Sequence, residues 1–245
     1  MITCVTFDAD GTLLDFLRLM RASLAYTLES LRASLPGPAS AALTVDRMIA
    51  IRDQVADEAT GRGISMEHIR LLAFERTLES ISAPNPDLAA RLTTVYLERR
   101  FGHIELYSDV LPALDALAGR YRLGLLSNGN SYPERCGLAG RFDFAFFAQG
   151  LGVAKPDPRF YELAAAAARC PADQFVHVGD SLSNDVAAAQ SAEMLAVWLN
   201  RDGIANHSAI QPDAEIATLD ELPTVVERLD LEMPASHRGV RVAND

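Results

Sequence analysis

The sequence predicts an α/β protein: a doubly wound parallel sheet with an all-helical segment inserted near its start. Two observations carry that reading. Short apolar runs of strand length recur in the second half, each set off by a helical pattern, and such alternation builds a parallel sheet with helices on both faces. Between the first apolar run and the others, from about residue 16 to 103, strand signal nearly vanishes and apolar residues recur at helical spacing.

The first element is Thr3-Cys4-Val5-Thr6-Phe7, rich in β-branched and aromatic residues, and it reads as a buried strand. It runs directly into Asp8-Ala9-Asp10-Gly11-Thr12. Four helices are then expected. Phe16, Leu17, Leu19, Met20, Leu24, Leu28 and Leu31 repeat at helical spacing until Pro36-Gly37-Pro38 stops them. A second helix starts after Thr44 and ends at Gly61 and Gly63; Ser65 caps a third. Pro84 and Pro86 separate the third from a fourth, which ends near Arg99-Arg100. From Tyr107 the alternation begins: helix 109–117, strand 122–127, strand 144–147, and a helix opened by Asp157-Pro158 that runs to Ala168. Strand 175–178, helix 184–191 and a last core strand at 194–198 follow. The expected organisation is a Rossmann-like core of residues 1–15 and 104–232, an α-helical cap of residues 16–103, and a polar, frayed tail at 233–245.

Composition narrows the class. The 245 residues are 49% hydrophobic and 22% charged, the balance of a soluble globular protein with a sizeable core. No apolar run reaches membrane-spanning length, and no basic-then-apolar leader is evident. Cys4, Cys136 and Cys170 are an odd set without metal-type spacing, which points to reduced thiols and a cytoplasmic location. Thirty-three acids against 22 Lys and Arg give a net charge of −11, which argues against a nucleic acid polymer as partner. A small anionic substrate is compatible with it, because such a ligand responds to local groups.

Each predicted strand ends in residues able to do chemistry. The first delivers Asp8 and Asp10, two like charges that need a metal or a shared proton to coexist. Ser127-Asn128-Gly129 follows the second and offers a hydroxyl and backbone N–H groups as a cradle for phosphate oxygens. Lys155 stands just before a helix start, and Gly179-Asp180 through Asn184-Asp185 brings two more carboxylates. Singly, these are turn residues, a surface lysine and helix-capping acids. In a parallel sheet all four segments fall at the carboxyl edge, where such sheets bind their ligands. Acids and one lysine gathered there suit a hard, oxygen-loving cation such as Mg²⁺.

The order Asp8-x-Asp10-x-Thr12, Ser127-Asn128, Lys155-Pro156 and Gly179-Asp180-x-x-x-Asn184-Asp185 resembles the four motifs of the haloacid dehalogenase (HAD) superfamily. The helical insertion is similar to the cap of its α-helical-cap subfamily, and the later motifs look like its phosphatase branch. The resemblance implies an Mg²⁺-dependent phosphatase of small phosphorylated metabolites, such as nucleotides or sugar phosphates, acting through an aspartyl-phosphate. By position, Asp8 would be the nucleophile and Asp10 the general acid and base. Thr12, Ser127, Asn128 and Lys155 would hold and neutralise the phosphoryl group. Asp8, the backbone carbonyl of Asp10, Asp180 and Asp185 would form the metal site. Alternatives are a phosphomutase, a 2-haloacid dehalogenase (disfavoured by Asp10) and a non-catalytic regulatory pseudoenzyme. The expected partner is a small phosphorylated substrate and the expected state a monomer or homodimer. Arg18, Arg21, Arg47, Arg52, His68 and Arg70 are the cap's cationic candidates for reading a substrate, each otherwise a solvated helix surface residue.

Overall fold

The computed structural model describes residues 1–59, 62–149 and 151–232. In chain order its elements are β1 (Cys4–Phe7), α1 (Phe16–Ser34), α2 (Pro38–Ala42), α3 (Val45–Ala59), α4 (Met66–Ser80), α5 (Pro86–Gly102) and α6 (Val110–Leu117). There follow β2 (Arg122–Ser127), β3 (Phe144–Phe147), α7 (Pro158–Ala168), β4 (Phe175–Gly179), α8 (Ala188–Ser191), β5 (Leu195–Leu199), β6 (Ala214–Ile216) and α9 (Leu222–Glu232). The chain divides into two compact units, Met1–Leu14 with Leu106–Asp245, and Asp15–Glu105.

The first unit is a parallel sheet in the order β3-β2-β1-β4-β5-β6. This is the doubly wound, Rossmann-like arrangement, with the strand order turning at β1. Its strands are buried because helices cover both faces: Cys4, Val5 and Phe7 of β1 and Phe175, Val176 and Val178 of β4 are fully enclosed. Tyr161, Phe160 and Ala164 of α7 pack with Val186 and Ala189 into one apolar layer. Asp157 caps α7, accepting from Arg159 N at 3.0 Å with Pro158 in the first turn.

Among its described residues the second unit's elements are all helices, α1 to α5. Met20, Leu24, Leu28 and Leu31 of α1 meet Phe74 and Leu78 of α4 and Leu92 and Tyr96 of α5 in one core. Ser65 caps α4 by accepting from His68 N at 3.1 Å, and Asn85 caps α5 by accepting from Leu88 N at 2.9 Å.

The structure departs from the sequence reading in four places. Pro38 does not only stop α1; its fixed φ also opens the short α2, a helix the reading did not expect. The helix expected at 184–191 starts as a π-type turn over Leu182–Ala187 before α8. No element was expected after 198, yet β6 pairs with β5 and α9 closes the unit. The Ala-Glu-Ile of β6 is too short to signal itself, and its place is fixed from outside by Asp213, whose Oδ2 accepts from Ala196 N at 2.8 Å. Leu222, Val226 and Leu229 are the buried stripe of α9. The expected tail at 233–245, and Gly61 as a helix stop, lie outside the described residues.

Candidate active site

Asp8 leaves the carboxyl end of β1, and its backbone N–H still bonds to Val178 O of β4 at 2.9 Å. Gly179 ends β4, so Asp180 follows at the same level. A sharp turn then brings Asp8, Asp180 and Asp185 together, one carboxylate oxygen from each lying within 4.8 Å of the others. Glycine makes this approach possible. Gly11 sits at φ +97°, and a Cβ there would collide with the Asp180 carboxylate; a Cβ on Gly179 would collide with Asp185. The π-type turn serves the same end. It is anchored by Ser181, whose Oγ accepts from Asn184 N at 3.2 Å, and it turns Asp185 back so that its Oδ2 accepts from Ser181 N at 3.0 Å.

Lys155 is buried between two of the acids, donating from Nζ to Asp8 Oδ1 at 2.7 Å and Asp185 Oδ1 at 2.8 Å. Asn128 holds the lysine's backbone in a two-way clamp: its Nδ2 donates to Lys155 O at 2.9 Å and its Oδ1 accepts from Lys155 N at 2.8 Å. Ser127 is buried at the end of β2 and its Oγ accepts from Gly129 N at 3.0 Å. Thr12 reaches Asp180 rather than open space, donating to Oδ1 at 3.4 Å. Asp10 is not one of the three clustered acids; its Oδ1 accepts from the Ser131 hydroxyl at 2.6 Å.

The electrostatics follow from burial and from who holds the lysine. Burial raises the Asp8 carboxyl well above its usual range; Lys155 opposes this, and Asp185 and Asp10 reinforce it. Burial also pushes Asp185 up, but Lys155 and His177 outweigh it and hold Asp185 below the usual carboxylate range. Asp180 is pushed up to about 6 by burial and by the neighbouring Asp185. Burial works against the Lys155 ammonium, yet Asp8 and Asp185 raise its pKa above normal. The pair therefore rests as an ammonium against an ionised Asp185, with Asp8 the acid that is hard to charge.

Four residues of this surround escaped the sequence reading. His177 is fully buried behind Asp185, its Nε2 3.3 Å from Asp185 Oδ1 and its Nδ1 2.9 Å from Thr6 Oγ1. Burial first, then Lys155, lowers its pKa to about 4, so the ring is neutral. Ser131 holds Asp10. Arg201 crosses to Asp109 with two bonds at 2.8 and 3.0 Å, donates to Thr12 O at 2.9 Å and stacks 3.9 Å over the Tyr107 ring. One signal was readable: the register pairs Thr6 with His177, so aligning the two acid-bearing strand ends puts these polar residues side by side.

Acids and a buried lysine collected at the carboxyl edge of a parallel sheet are the construction of an α/β enzyme. The comparisons say which kind. The family model of haloacid dehalogenase-like hydrolases matches residues 2–193, and the chain belongs to that family. It is similar to the 5-amino-6-(5-phospho-D-ribitylamino)uracil phosphatase YigB of Escherichia coli (strain K12), 27% identical over 92% of this chain and 96% of that protein. The glyceraldehyde 3-phosphate phosphatase of Methanopyrus kandleri is 28% identical over 94% of this chain and 99% of its own. A solved structure of a 2-haloacid dehalogenase from Pseudomonas syringae pv. Tomato DC3000 superposes with a TM-score of 0.78 at 35% identity, covering 94% of this chain and all of that one. Among the described residues no helix is long and apolar enough to cross a membrane.

Proposed function

We propose that the chain is an Mg²⁺-dependent phosphomonoesterase of small phosphorylated metabolites, working through a phosphoryl group carried on Asp8. One observation carries the reading: Asp8, Asp180 and Asp185 offer oxygen ligands within 4.8 Å of one another, with Lys155 on two of them. An all-carboxylate donor set fits a hard cation and lacks the nitrogen and sulfur donors that favour zinc or copper. Asp8, Asp180, Asp185 and the Asp10 carbonyl would hold the ion. When bound, it supplies positive charge that keeps Asp8 ionised and offsets charge on the phosphoryl oxygens.

In the first step an Asp8 oxygen attacks phosphorus, forming an acyl-phosphate while the bond to the ester oxygen breaks. Asp10 donates its proton to that departing oxygen. In the second step Asp10 takes a proton from water, the water oxygen attacks phosphorus, and phosphate leaves with Asp8 restored. Ser131 fixes the Asp10 carboxylate for both transfers. Lys155 neutralises charge shared between Asp8 and the phosphoryl group, and Asn128 keeps that lysine in place through its backbone. Ser127 and the backbone N–H of Asn128 receive phosphoryl oxygens. The unit Asp15–Glu105 would act as the cap that selects the substrate. The phosphatases among the relatives support the small phosphorylated substrate.

A second reading, 2-haloacid dehalogenation, is favoured by the 35% identical solved structure of such an enzyme. The family resemblance implies that dehalogenases of this cap type lack the second acid and need no metal, whereas this chain has Asp10 and the three-acid cluster. Hydrolysis of p-nitrophenyl phosphate with Mg²⁺ and in excess chelator, beside halide release from 2-chloropropionate, separates the two. Mg²⁺-dependent phosphate release supports the phosphatase; halide release without phosphate release overturns it.

A further inference from the structure

The helical unit treats its arginines in two ways. Arg21 pairs with Asp46 at 2.8 Å, Arg76 with Glu58 at 2.8 Å, and Arg32 with Glu29 at 2.7 Å, all near the surface. Arg52 of α3, Arg70 of α4 and Arg100 of α5 are drawn inward instead. Arg70 is 8% exposed and Arg100 4%. The Arg70 guanidinium lies 4.2 Å over the Tyr96 ring, and Arg100 lies 5.0 Å over Phe16. These ring faces cover one side of each cation without giving its N–H groups an acceptor.

Nη1 of Arg70 and the hydroxyl of Tyr96 are buried without a hydrogen-bond partner. Arg52 spends its Nη2 on the Met20 thioether at 2.7 Å, a weak acceptor for a guanidinium. Its Nε pairs with Asp53 at 3.1 Å, the acid that also acts on Arg70. Burial, and then the charges of Arg52 and Arg100, bring the Arg70 pKa down to about 10. Buried cations are ordinarily paired or fully hydrogen-bonded. A group of guanidiniums with one acid, a phenol and buried donors to spare matches the recognition of an oxyanion, which accepts from several N–H groups at once.

We propose that Arg52, Arg70 and Tyr96, with Arg100 adding positive potential, form a binding site for a carboxylate or phosphate oxyanion within the helical unit. The anion is either a second charged group of the enzyme's own substrate or a separate small molecule. The site stands on its own geometry and does not require the phosphatase reading.

The test uses the full chain and sodium sulfate as probe, titrated calorimetrically at constant ionic strength. The wild type should show a component that weakens about 10- to 100-fold in Arg70→Met, the loss expected for a charge-assisted hydrogen bond, with Tyr96→Phe intermediate. Arg52→Met repeats the test should Arg70→Met fail to fold. A kinetic arm then finds the source. If the substrate supplies the anion, Arg70→Met lowers kcat/KM by a similar factor for phosphoglycolate and by less than about threefold for phenyl phosphate. If a separate anion binds, sulfate binding is lost and both esters change equally. Sulfate binding that is the same in wild type, Arg70→Met and Arg52→Met, with an unchanged ratio of the two esters, overturns the proposal, whether or not the chain turns over phosphate esters.

Discussion

Replacing Lys155 by methionine removes a buried cation while nearly keeping its volume, and the consequence can be worked from the site. Nζ lies 2.7 Å from Asp8 and 2.8 Å from Asp185. At an effective dielectric near 20 each contact carries roughly 6 kcal/mol of Coulomb attraction, most of it offset by desolvation. The net effect is set by what Asp185 does afterwards. In the wild type its pKa is held below the usual range, so it is ionised and contributes stability at neutral pH that is lost only as pH falls through that low value. In the variant it stays buried beside Asp180 and Asp8 without Lys155, and it takes up a proton instead. At pH 7, protonating a carboxyl whose unfolded pKa is about 3.9 costs roughly 4 kcal/mol, which caps this part of the loss and adds to the stability the ionised Asp185 gave the wild type. A raised folded pKa is a penalty that grows with pH, so this part should fall to about 1.5 kcal/mol at pH 5.

Trp198 is the chain's one tryptophan, and its Nε1 donates to Asp180 O at 2.9 Å, so its fluorescence reports this unit alone. Urea denaturation at pH 5, 6 and 7 in chelator should give a wild-type-to-variant difference that widens by about 1.4 kcal/mol per pH unit. A difference below about 1 kcal/mol, or one independent of pH, refutes the claim that Lys155 compensates buried charge.

Other outcomes are expected. Asp8→Asn should abolish turnover, while Asp10→Asn should accumulate a phosphorylated enzyme detectable by intact-protein mass spectrometry; turnover by Asp8→Asn with none by Asp10→Asn would reverse the roles. His177→Phe removes the neutral ring behind Asp185 and leaves Thr6 and Asp185 each short of a contact; a stability loss of about 1–3 kcal/mol and a lower kcat at unchanged KM are expected. Mg²⁺ affinity should fall as pH drops through about 6, where apo Asp180 gains its proton; calorimetry showing equal affinity at pH 5 and 7 would exclude Asp180 as a ligand. Arg201→Met strands Asp109, whose carboxyl burial pushes up but Arg201 and the Leu219 N–H hold low. About 3–5 kcal/mol should be lost, read by the same fluorescence assay.

What could be read in the sequence was whatever obeys a strand-end rule. Asp8, Asp10, Ser127 and Asp180 sit where apolar runs stop, and a parallel sheet collects such ends by topology alone, while Lys155 was readable only as a lysine just ahead of a helix start. Asp185 was readable only as a spacing, because a π-type turn rather than a plain helix start brings it back to Lys155. Asn128 was expected to meet the phosphoryl group through its backbone, and its side chain has a second task that the sequence did not signal, holding the Lys155 backbone. A contact across 27 positions has no local signature. The pairing of Arg201 with Asp109 spans 92 positions and leaves no local trace either. His177 sits inside Phe175-Val176-His177-Val178, where a lone polar residue in a buried strand has no meaning until its neighbour Thr6 is known.

Buried charge separates the two units more sharply than their secondary structure does. In the sheet unit two enclosed cations of the site each meet carboxylates: Lys155 has Asp8 and Asp185, and Arg201 has Asp109. Each set pairs its cation with a carboxylate of the chain, although Arg201 Nε keeps no partner, and removing one member leaves a desolvated charge behind. In the helical unit Arg70 is equally removed from water, yet its Nη1 bonds to nothing and its neighbours include two more guanidiniums. If that arrangement were only structural, apolar side chains of similar volume would pack the same space at lower cost. On the proposal above, an anion from outside the chain completes Arg70, whose Nη1 finds no acceptor within it.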